Sequence, residues 1–378
     1  MIYLDNAATT MRKPDQVVQA VTDSLTSFGG VGRGVHKASL EAGMAVYDAR
    51  YAIAHLLNAP SASRVSFTPN VTVALNIAIN GLLKDGRTAL TTAASHNSVL
   101  RPLFRARDER GCEVRIVPIE PNGALDMDAY ENALEGVDVV VATHASNLTG
   151  DVYDIARMSA LAHDAGAVFV LDAAQSAGTM PVDMAALGVD VLCFTGHKGL
   201  FGPQGTGGLC LAEGVEIEPL FEGGSGTHSF DERHPRFMPE ALEAGTINAH
   251  GLAGLAAGAA WIEERTPEAI HSYTSGLVER FLHAIADIPD CRVYGGGGID
   301  RCAIVALNLG DRDSALVADA LAQEADICTR AGAHCAPLMH KALGTEGQGA
   351  VRFSFSAFTT QEEIDKAAAA LHAIAGCD

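Results

Sequence analysis

Short apolar runs, each followed at once by polar residues, recur through the N-terminal half of the chain and a little beyond. Their length and their Val, Ile and Leu content are typical of strands buried on both faces of a parallel sheet. The pattern predicts strands at 64–68, 88–92, 114–118, 137–143, 168–172 and 189–194. Apolar residues at helical spacing predict helices at 15–25, 40–57 and 251–264. This alternation predicts an α/β fold with a mainly parallel sheet.

The C-terminal part of the chain has a different pattern. It predicts an amphipathic helix at 277–285, a strand at 303–309 and a second helix at 314–325. Such a mixture is typical of a smaller α+β domain. We therefore expect an N-terminal segment (1–14) associated with the small domain, a large domain (15–250) and a small C-terminal domain (251–378).

Composition and charge narrow the class of protein. The chain has 378 residues, of which 48% are hydrophobic and 19% charged, as is ordinary for a soluble α/β enzyme. The net charge of −20 argues against binding to nucleic acid or to anionic membranes. Neither a signal peptide nor an apolar run of transmembrane length is evident. Eight cysteines without CxxC pairs predict neither a zinc site nor disulfides, so we expect a cytoplasmic protein with reduced thiols.

One lysine, Lys198, lies in a glycine-rich segment that follows the predicted strand 189–194. Asp172 ends the preceding strand, and Gln175 and His197 are close to the two residues in sequence. Ligands of open α/β sheets bind where strands end. A lysine and an acid at two strand ends suit pyridoxal phosphate, because the lysine can form a Schiff base while the acid keeps the pyridine nitrogen protonated. The alternative is a surface lysine in a turn, which the three neighbouring polar residues make less favourable.

Polar residues follow two other predicted strands. Asn70, Val71 and Thr72 start a helix after strand 64–68, and the N–H groups at a helix N-terminus can bind phosphate. The alternative is a simple helix cap. His96 follows strand 88–92, where a histidine can serve either as a cap or as an acid/base.

Two residues of the C-terminal part are candidates for chemistry. Cys335 lies in a loop with glycine, histidine and proline, whereas Cys193 and Cys210 lie in apolar strands and are predicted to be in the core. A polar loop with nearby cations favours the thiolate, which is the nucleophilic form. Arg352 lies in an apolar strand and needs an anion, either a substrate carboxylate or a structural partner.

The pairing of Leu-Asp-Ala-Ala-Gln175 with Phe-Thr-Gly-His-Lys198 resembles the class V aminotransferase superfamily of fold-type I enzymes. Within it, Arg-Ala-Gly-Ala-His-Cys335-Ala is similar to the corresponding element of the group II (Suf-type) cysteine desulfurases, and the chain as a whole resembles the cysteine desulfurases and selenocysteine lyases. The resemblance runs from Tyr3-Leu-Asp-Asn-Ala-Ala-Thr-Thr10 to Arg352. It implies pyridoxal 5′-phosphate as cofactor and a large domain with a mainly parallel seven-stranded sheet.

The resemblance also implies a role for each candidate residue. Cofactor contacts are assigned to Asp172 at the pyridinium nitrogen, Gln175 and Asn147 at the 3′-oxygen, His96 on the ring, Thr195 and His197 at the phosphate, and Lys198 as Schiff base and proton shuttle. Substrate contacts are assigned to Arg352, Asn147, Arg33 and His36, of which the last two could equally be solvated loop residues. Thr246 would reach the phosphate of a neighbouring subunit, which implies a homodimer with shared active sites.

The sequence therefore predicts a cysteine desulfurase that converts L-cysteine to L-alanine and keeps the sulfur on Cys335 as a persulfide. A sulfur-acceptor protein would be its partner. The alternatives are a selenocysteine lyase, another class V enzyme (a C–S lyase or transaminase) and a sulfur carrier without turnover. Two departures from the family pattern are Ser95, where glutamate is common, and Ala333, where histidine is frequent.

Overall fold

A computed structural model describes residues 1–32 and 34–376. The strands are β1 (Ile2–Tyr3), β2 (Val65–Thr68), β3 (Thr88–Thr92), β4 (Glu113–Val117), β5 (Val139–Thr143), β6 (Asp151–Val152), β7 (Val168–Asp172), β8 (Val191–Thr195), β9 (Gly207–Leu211), β10 (Cys291–Tyr294), β11 (Asp300–Arg301), β12 (Ile304–Leu309), β13 (Ile327–Cys328), β14 (Arg330–Gly332) and β15 (Ala350–Ser354). The helices are α1 (Asp15–Ser27), α2 (Lys37–Leu56), α3 (Val71–Leu82), α4 (Asn97–Arg110), α5 (Met127–Asn132), α6 (Ile155–Asp164), α7 (Ala249–Arg265), α8 (Pro267–Ala284), α9 (Ser314–Ala325), α10 (Pro337–Leu343) and α11 (Gln361–Ala375).

Seven strands form the large sheet, in the order β2-β9-β8-β7-β5-β3-β4. Neighbouring strands from β8 to β4 are parallel, and β9 is antiparallel to both β8 and β2. Alternate residues of β5 pack into two different apolar clusters, so the sheet is buried on both faces. The prediction of a mainly parallel, seven-stranded sheet is confirmed.

Several element bounds differ from the sequence prediction. The strands 88–92 and 168–172 and the helix 314–325 have the predicted limits. Helix α2 begins at Lys37, earlier than expected, because His36 caps it. Helix α8 begins ten residues before its predicted start, where Thr266 accepts the N–H of Ala269 and Pro267 occupies the first turn. The cap and the proline set this start, since the first turns carry few apolar residues.

The C-terminal part contains a four-stranded antiparallel sheet in the order β10-β12-β15-β14, covered by α8, α9 and α11. β1 pairs in parallel with β13, and Asp5 bridges to Ser354, so the N-terminal segment lies against this sheet. Helix α7, predicted to begin the small domain, packs on α1 and α2. The limits of the domains stay a prediction. Among the described helices, none combines the length and apolarity that crossing a bilayer requires.

Candidate active site

The carboxyl ends of β2, β3, β5, β7 and β8 meet at one edge of the large sheet, because these strands run in the same direction. A cavity of about 220 Å³ lies there, large enough for a small molecule rather than for single ordered waters. The predicted residues that line it are Asn70, Val71, Thr72, His96, Asn147, Asp172, Gln175, Thr195, His197, Lys198 and Arg352. The structure thus brings together residues from 70 to 352.

Asp172 ends β7, and Lys198 comes three residues after the end of the neighbouring strand β8; Asp172 is buried and Lys198 is half-buried. Burial lowers the pKa of Lys198 to about 8, although the charge of Asp172 opposes this shift. Burial raises the pKa of Asp172, whose Oδ1 accepts the N–H of Ala174 at 3.1 Å. A buried carboxylate with so few donors needs a cationic partner to stay ionised, and a protonated pyridine nitrogen would supply one.

The other end of the cavity offers donors to an anion. Helix α3 begins there, and the first N–H groups of a helix have no partner within it. Asn70 caps this helix by accepting the N–H of Val73 at 3.1 Å. The hydroxyl of Thr195 is buried and has no hydrogen-bond partner among the described residues. An unpaired buried hydroxyl beside a helix N-terminus fits the phosphate of pyridoxal phosphate.

His96 caps helix α4 and also lines the cavity, so the cap is present and the acid/base role stays a prediction. Its Nδ1 accepts the N–H of Ser98 at 3.0 Å and lies 2.9 Å from the Ser98 hydroxyl. Burial, followed by the charge of Lys198, lowers the pKa of His96 to about 4. Ser95, which stands where relatives have glutamate, turns its hydroxyl to Thr91 instead (2.8 Å). The imidazole is therefore held from the C-terminal side, by Ser98.

Cys335 is exposed and directly follows His334, which lines the cavity. Both residues have left-handed backbone angles, with φ of +49° and +56°. The N–H of Asn97 donates to the carbonyl of Cys335 at 2.9 Å, so the cysteine loop is bonded to the residue after His96. Cys193 and Cys210 are fully buried, as predicted, and burial raises the pKa of both thiols.

Two arginines enter the cavity from the small sheet. Arg330 and Arg352 are direct neighbours on the antiparallel strands β14 and β15. Arg352 is almost completely buried; it donates to the carbonyl of Asn147 and to Asp5, both at 2.8 Å, and its Nε has no partner in the part of the chain that the structure describes. Burial lowers the pKa of Arg352, and Asp5 partly compensates. Two adjacent guanidinium groups carry two positive charges and only one carboxylate, Asp5, pairs with them, so a second anion can bind there.

The N-terminal segment closes one side of the cavity. Ala7 and Ala8 line it, and Gln175 donates to the carbonyl of Ala7 at 3.1 Å. Thr10 donates its N–H to the carbonyl of His197 at 3.0 Å and its hydroxyl to that of Lys198 at 2.9 Å. The segment is therefore part of the site.

A sequence model of the family described as "Aminotransferase class-V" matches residues 2–367. The chain belongs to the class V aminotransferases. The cofactor of this family is pyridoxal phosphate, which agrees with the fit of the cavity.

Relatives of this class V aminotransferase match it over nearly its whole length. A probable cysteine desulfurase of Methanothermobacter thermautotrophicus is 36% identical, with 99% of this chain and 95% of the relative covered. A cysteine desulfurase of Haloferax volcanii is 31% identical, with 99% and 89% covered. The apo structure of the cysteine desulfurase of Thermococcus onnurineus NA1 has a TM-score of 0.92 at 32% identity, with 99% and 94% covered. A cysteine desulfurase structure from Escherichia coli has a TM-score of 0.87 at 29% identity, with 98% and 93% covered.

Among the described residues, three that were predicted for the site do not line the cavity of this class V aminotransferase: Cys335, Thr246 and His36. Thr246 is exposed and borders a separate apolar cleft with Phe67 and Phe221. His36 is exposed and caps α2, its Nδ1 accepting the N–H of Ser39 at 3.4 Å. Arg33 lies outside the described residues. The family resemblance places Thr246 in a neighbouring subunit's site, and that role stays a prediction.

Sequence reasoning missed Asp5, Ser98 and Arg330. Arg330 begins the element Arg-Ala-Gly-Ala-His-Cys335, on which the prediction for Cys335 was based, and this proximity in sequence could have marked it as a site residue. Asp5 and Ser98 gave no separate signal, because their importance depends on which distant side chain they meet.

Proposed function

We propose that this protein is a pyridoxal-phosphate-dependent cysteine desulfurase that keeps the sulfur of L-cysteine on Cys335 as a persulfide. The observation that carries the proposal is the exposed Cys335. Its loop is hydrogen-bonded, through the carbonyl of His334, to Asn147, which lines the same cavity as Lys198. Transamination needs no thiol nucleophile, so a cysteine in this position favours desulfuration over the other class V reactions. The names of the relatives point to the same reaction.

The residues that would hold the cofactor are those at the strand ends. Asp172 would pair with its ring nitrogen, Gln175 and Asn147 would bond its 3′-oxygen, and Thr195, His197 and the N-terminus of α3 would hold its phosphate. When bound, the cofactor supplies an electron sink for the negative charge that develops at the substrate Cα. The unpaired Thr195 hydroxyl and Asn147 Oδ1 support this assignment.

The carboxylate of the amino acid would lie at Arg352 and Arg330. Arg352 offers an Nε–H to which no described residue is bonded, and Arg330 keeps the local net charge positive although Asp5 carries a negative charge. A planar guanidinium binds a carboxylate through two parallel hydrogen bonds. This end of the cavity therefore selects an α-amino acid.

Two residues would carry the bond changes. Lys198, whose amine is partly neutral near pH 8, takes the proton from the substrate Cα. The Cys335 thiolate then forms an S–S bond to the substrate sulfur while the Cβ–S bond breaks, and the electron pair remains with the alanine skeleton, which is protonated. Cysteine and the Cys335 thiol give alanine and a persulfide, so no external oxidant is needed.

The test is to incubate the purified holoenzyme with L-cysteine and a reductant, and to quantify sulfide and alanine. We expect the wild type to release sulfide and alanine in equal amounts, and Cys328→Ala, a matched control seven residues upstream, to do the same. Cys335→Ala should release neither product. Pyruvate in place of alanine would indicate an eliminating C–S lyase. Turnover of selenocysteine but not cysteine would indicate a selenocysteine lyase, and loss of selenocysteine turnover in Cys335→Ala would count against that alternative.

A homodimer is part of the proposal. Leu40, Met44, Tyr47 and Tyr51 lie on one face of α2 and are each more than half exposed. Such an apolar stripe suits contact with a second copy of the chain. Tyr47→Asp should lower the mass measured by light scattering to that of a monomer, whereas Leu316→Asp, at an exposed apolar residue on α9, should not.

Shared active sites can be tested by mixing variants. A Lys198→Ala subunit lacks the lysine of its own site but can supply Thr246 to the site of its partner. A Thr246→Val subunit keeps its lysine, so a mixed dimer would contain one complete site. We expect partial recovery of activity when the two inactive or weakened variants exchange subunits. No recovery, with exchange shown by mass, would contradict the shared site.

We also propose a cytoplasmic enzyme that passes its sulfur to an acceptor protein. In the part of the chain that the structure describes, seven cysteines are unpaired, as expected in a reducing compartment. Exposure of Cys335 makes a persulfide accessible to a second protein. Cell fractionation and transfer of radiolabelled sulfur from the loaded enzyme to cellular proteins would test both statements.

A further inference from the structure

The imidazole of His96 has a defined donor and acceptor side. The backbone N–H of Ser98 points at Nδ1, 3.0 Å away, and a backbone N–H can only donate. Nδ1 must therefore accept with its lone pair. A neutral imidazole carries one proton, which then lies on Nε2.

The Ser98 hydroxyl strengthens this arrangement. It lies 2.9 Å from Nδ1 of His96 and 2.8 Å from the hydroxyl of Thr72. Thr72 is in the first turn of α3, at the end of the cavity assigned to the phosphate, so a chain of hydrogen bonds joins the two helix N-termini. Ser98 itself is buried.

The surroundings keep the ring neutral. Burial is the main cause of its lowered pKa, and the charges of Lys198, Arg330, Arg352 and Arg101 act in the same direction. Among the described residues, no carboxylate contributes to the shift in the pKa of His96. Near neutral pH the ring is therefore uncharged and its tautomer decides what it can do.

We propose that Ser98 is a positioning residue that holds His96 as the Nε2-protonated tautomer, so that the ring presents a proton donor to the cavity. In the reaction, His96 then begins as an acid: it donates from Nε2 and receives a proton again there, while Nδ1 stays bonded to Ser98. The catalytic part of this proposal rests on the proposed function, whereas the tautomer itself does not.

The tautomer can be measured directly in protein labelled with ¹⁵N-histidine, using long-range ¹⁵N–¹H correlation NMR with His96→Gln to assign the signal. We expect an Nε2-protonated ring in the wild type, with and without pyridoxal phosphate. A ring protonated on Nδ1 would overturn the proposal.

Three substitutions form a graded series. Ser98→Thr keeps both donors to Nδ1, Ser98→Ala keeps only the N–H, and Ser98→Pro removes both at a position in the first helical turn that tolerates proline. We expect the single tautomer in Ser98→Thr, and a mixture of tautomers in Ser98→Pro. Thermal melting by circular dichroism excludes variants that fail to fold, and a folded Ser98→Pro with the wild-type tautomer would contradict the proposal.

Activity gives a second readout. If His96 acts from Nε2, kcat should fall in the order Ser98→Thr, Ser98→Ala, Ser98→Pro, by about tenfold or more for the last, while KM for cysteine changes little. An unchanged kcat in folded Ser98→Pro would overturn the catalytic part. If the wild type has no desulfurase activity, the proposed function fails, but the NMR result still decides the tautomer.

Discussion

The side-chain amide of Asn147 donates a hydrogen bond of 2.7 Å to the backbone carbonyl of His334, the residue before Cys335. Asn147 follows a strand of the large sheet, whereas His334 follows a strand of the small sheet. The bond therefore holds the cysteine loop against the cavity. The Oδ1 atom of Asn147 is buried and has no hydrogen-bond partner among the described residues, so this side chain can contact a ligand while it holds the loop.

Asn147→Ala should loosen the cysteine loop. His334 and Cys335 both have positive φ, which costs on the order of 1 kcal/mol for each residue and persists only when neighbours hold it. We expect faster hydrogen exchange at 333–336 and altered alkylation of Cys335 by iodoacetamide in the apoprotein. Asn80→Ala, which removes a bond within α3, is the control. Unchanged exchange in the Asn147 variant would show that the loop does not depend on this bond.

The lowered pKa of Lys198 predicts the pH dependence of cofactor uptake. Only the neutral amine is nucleophilic, so the rate of imine formation by the apoprotein should rise with pH and level off above about 8. At pH 7 the neutral fraction would be roughly 300 times that of an ordinary lysine. Stopped-flow absorbance measures this rate.

The Asp172→Asn variant tests in which direction the charge of Asp172 shifts the pKa of Lys198. The carboxylate of Asp172 raises the pKa of Lys198, so its removal should move the plateau to lower pH. A rate that keeps rising beyond pH 10 in the wild type would mean that the lysine is not desolvated in solution.

Arg352→Lys should weaken substrate binding. Lysine keeps the charge but cannot offer two parallel N–H groups, so KM for cysteine should rise about tenfold, equivalent to about 1.4 kcal/mol. Arg280→Lys, at an exposed pair with Asp365, should leave KM unchanged. An unchanged KM in Arg352→Lys would assign Arg352 to its structural bond with Asp5 alone.

Glu243→Gln should lower stability strongly. Glu243 is buried, pairs with Arg50 and accepts the N–H of Phe67. Loss of one partner leaves a buried charge, so the free energy of unfolding should fall by about 3 kcal/mol. Glu264→Gln, in an exposed pair with Arg265, should change it by less than about 1 kcal/mol. Urea unfolding of both variants decides this, and equal effects would contradict it.

Strand-end residues could be predicted from sequence because parallel strands bring their carboxyl ends to one edge. Asp172 and Lys198 are the clearest case, since the first ends and the second closely follows a short apolar run of strand length. The residues of the small sheet were harder. Arg352 was found because an arginine in an apolar strand needs an anion, but its partner Asp5 is 347 residues away and no local pattern selects it.

Helix caps limited the prediction in a second way. His36 and His96 are both histidines before a helix, and both cap it through Nδ1. Only His96 also faces the cavity, because its helix starts at the edge of the large sheet. The sequence suggested a cap at His96 but not at His36, and the sheet order decides which cap meets a ligand.

The bond between Asp5 and Arg352 also has a consequence for synthesis. At ribosomal speeds, about 20 to 70 s pass between the two residues. The N-terminal segment is without its partner strand β13 for most of this time and without its ion pair for all of it. The cavity wall made by Ala7 and Ala8 thus gains these two contacts only near the end of synthesis.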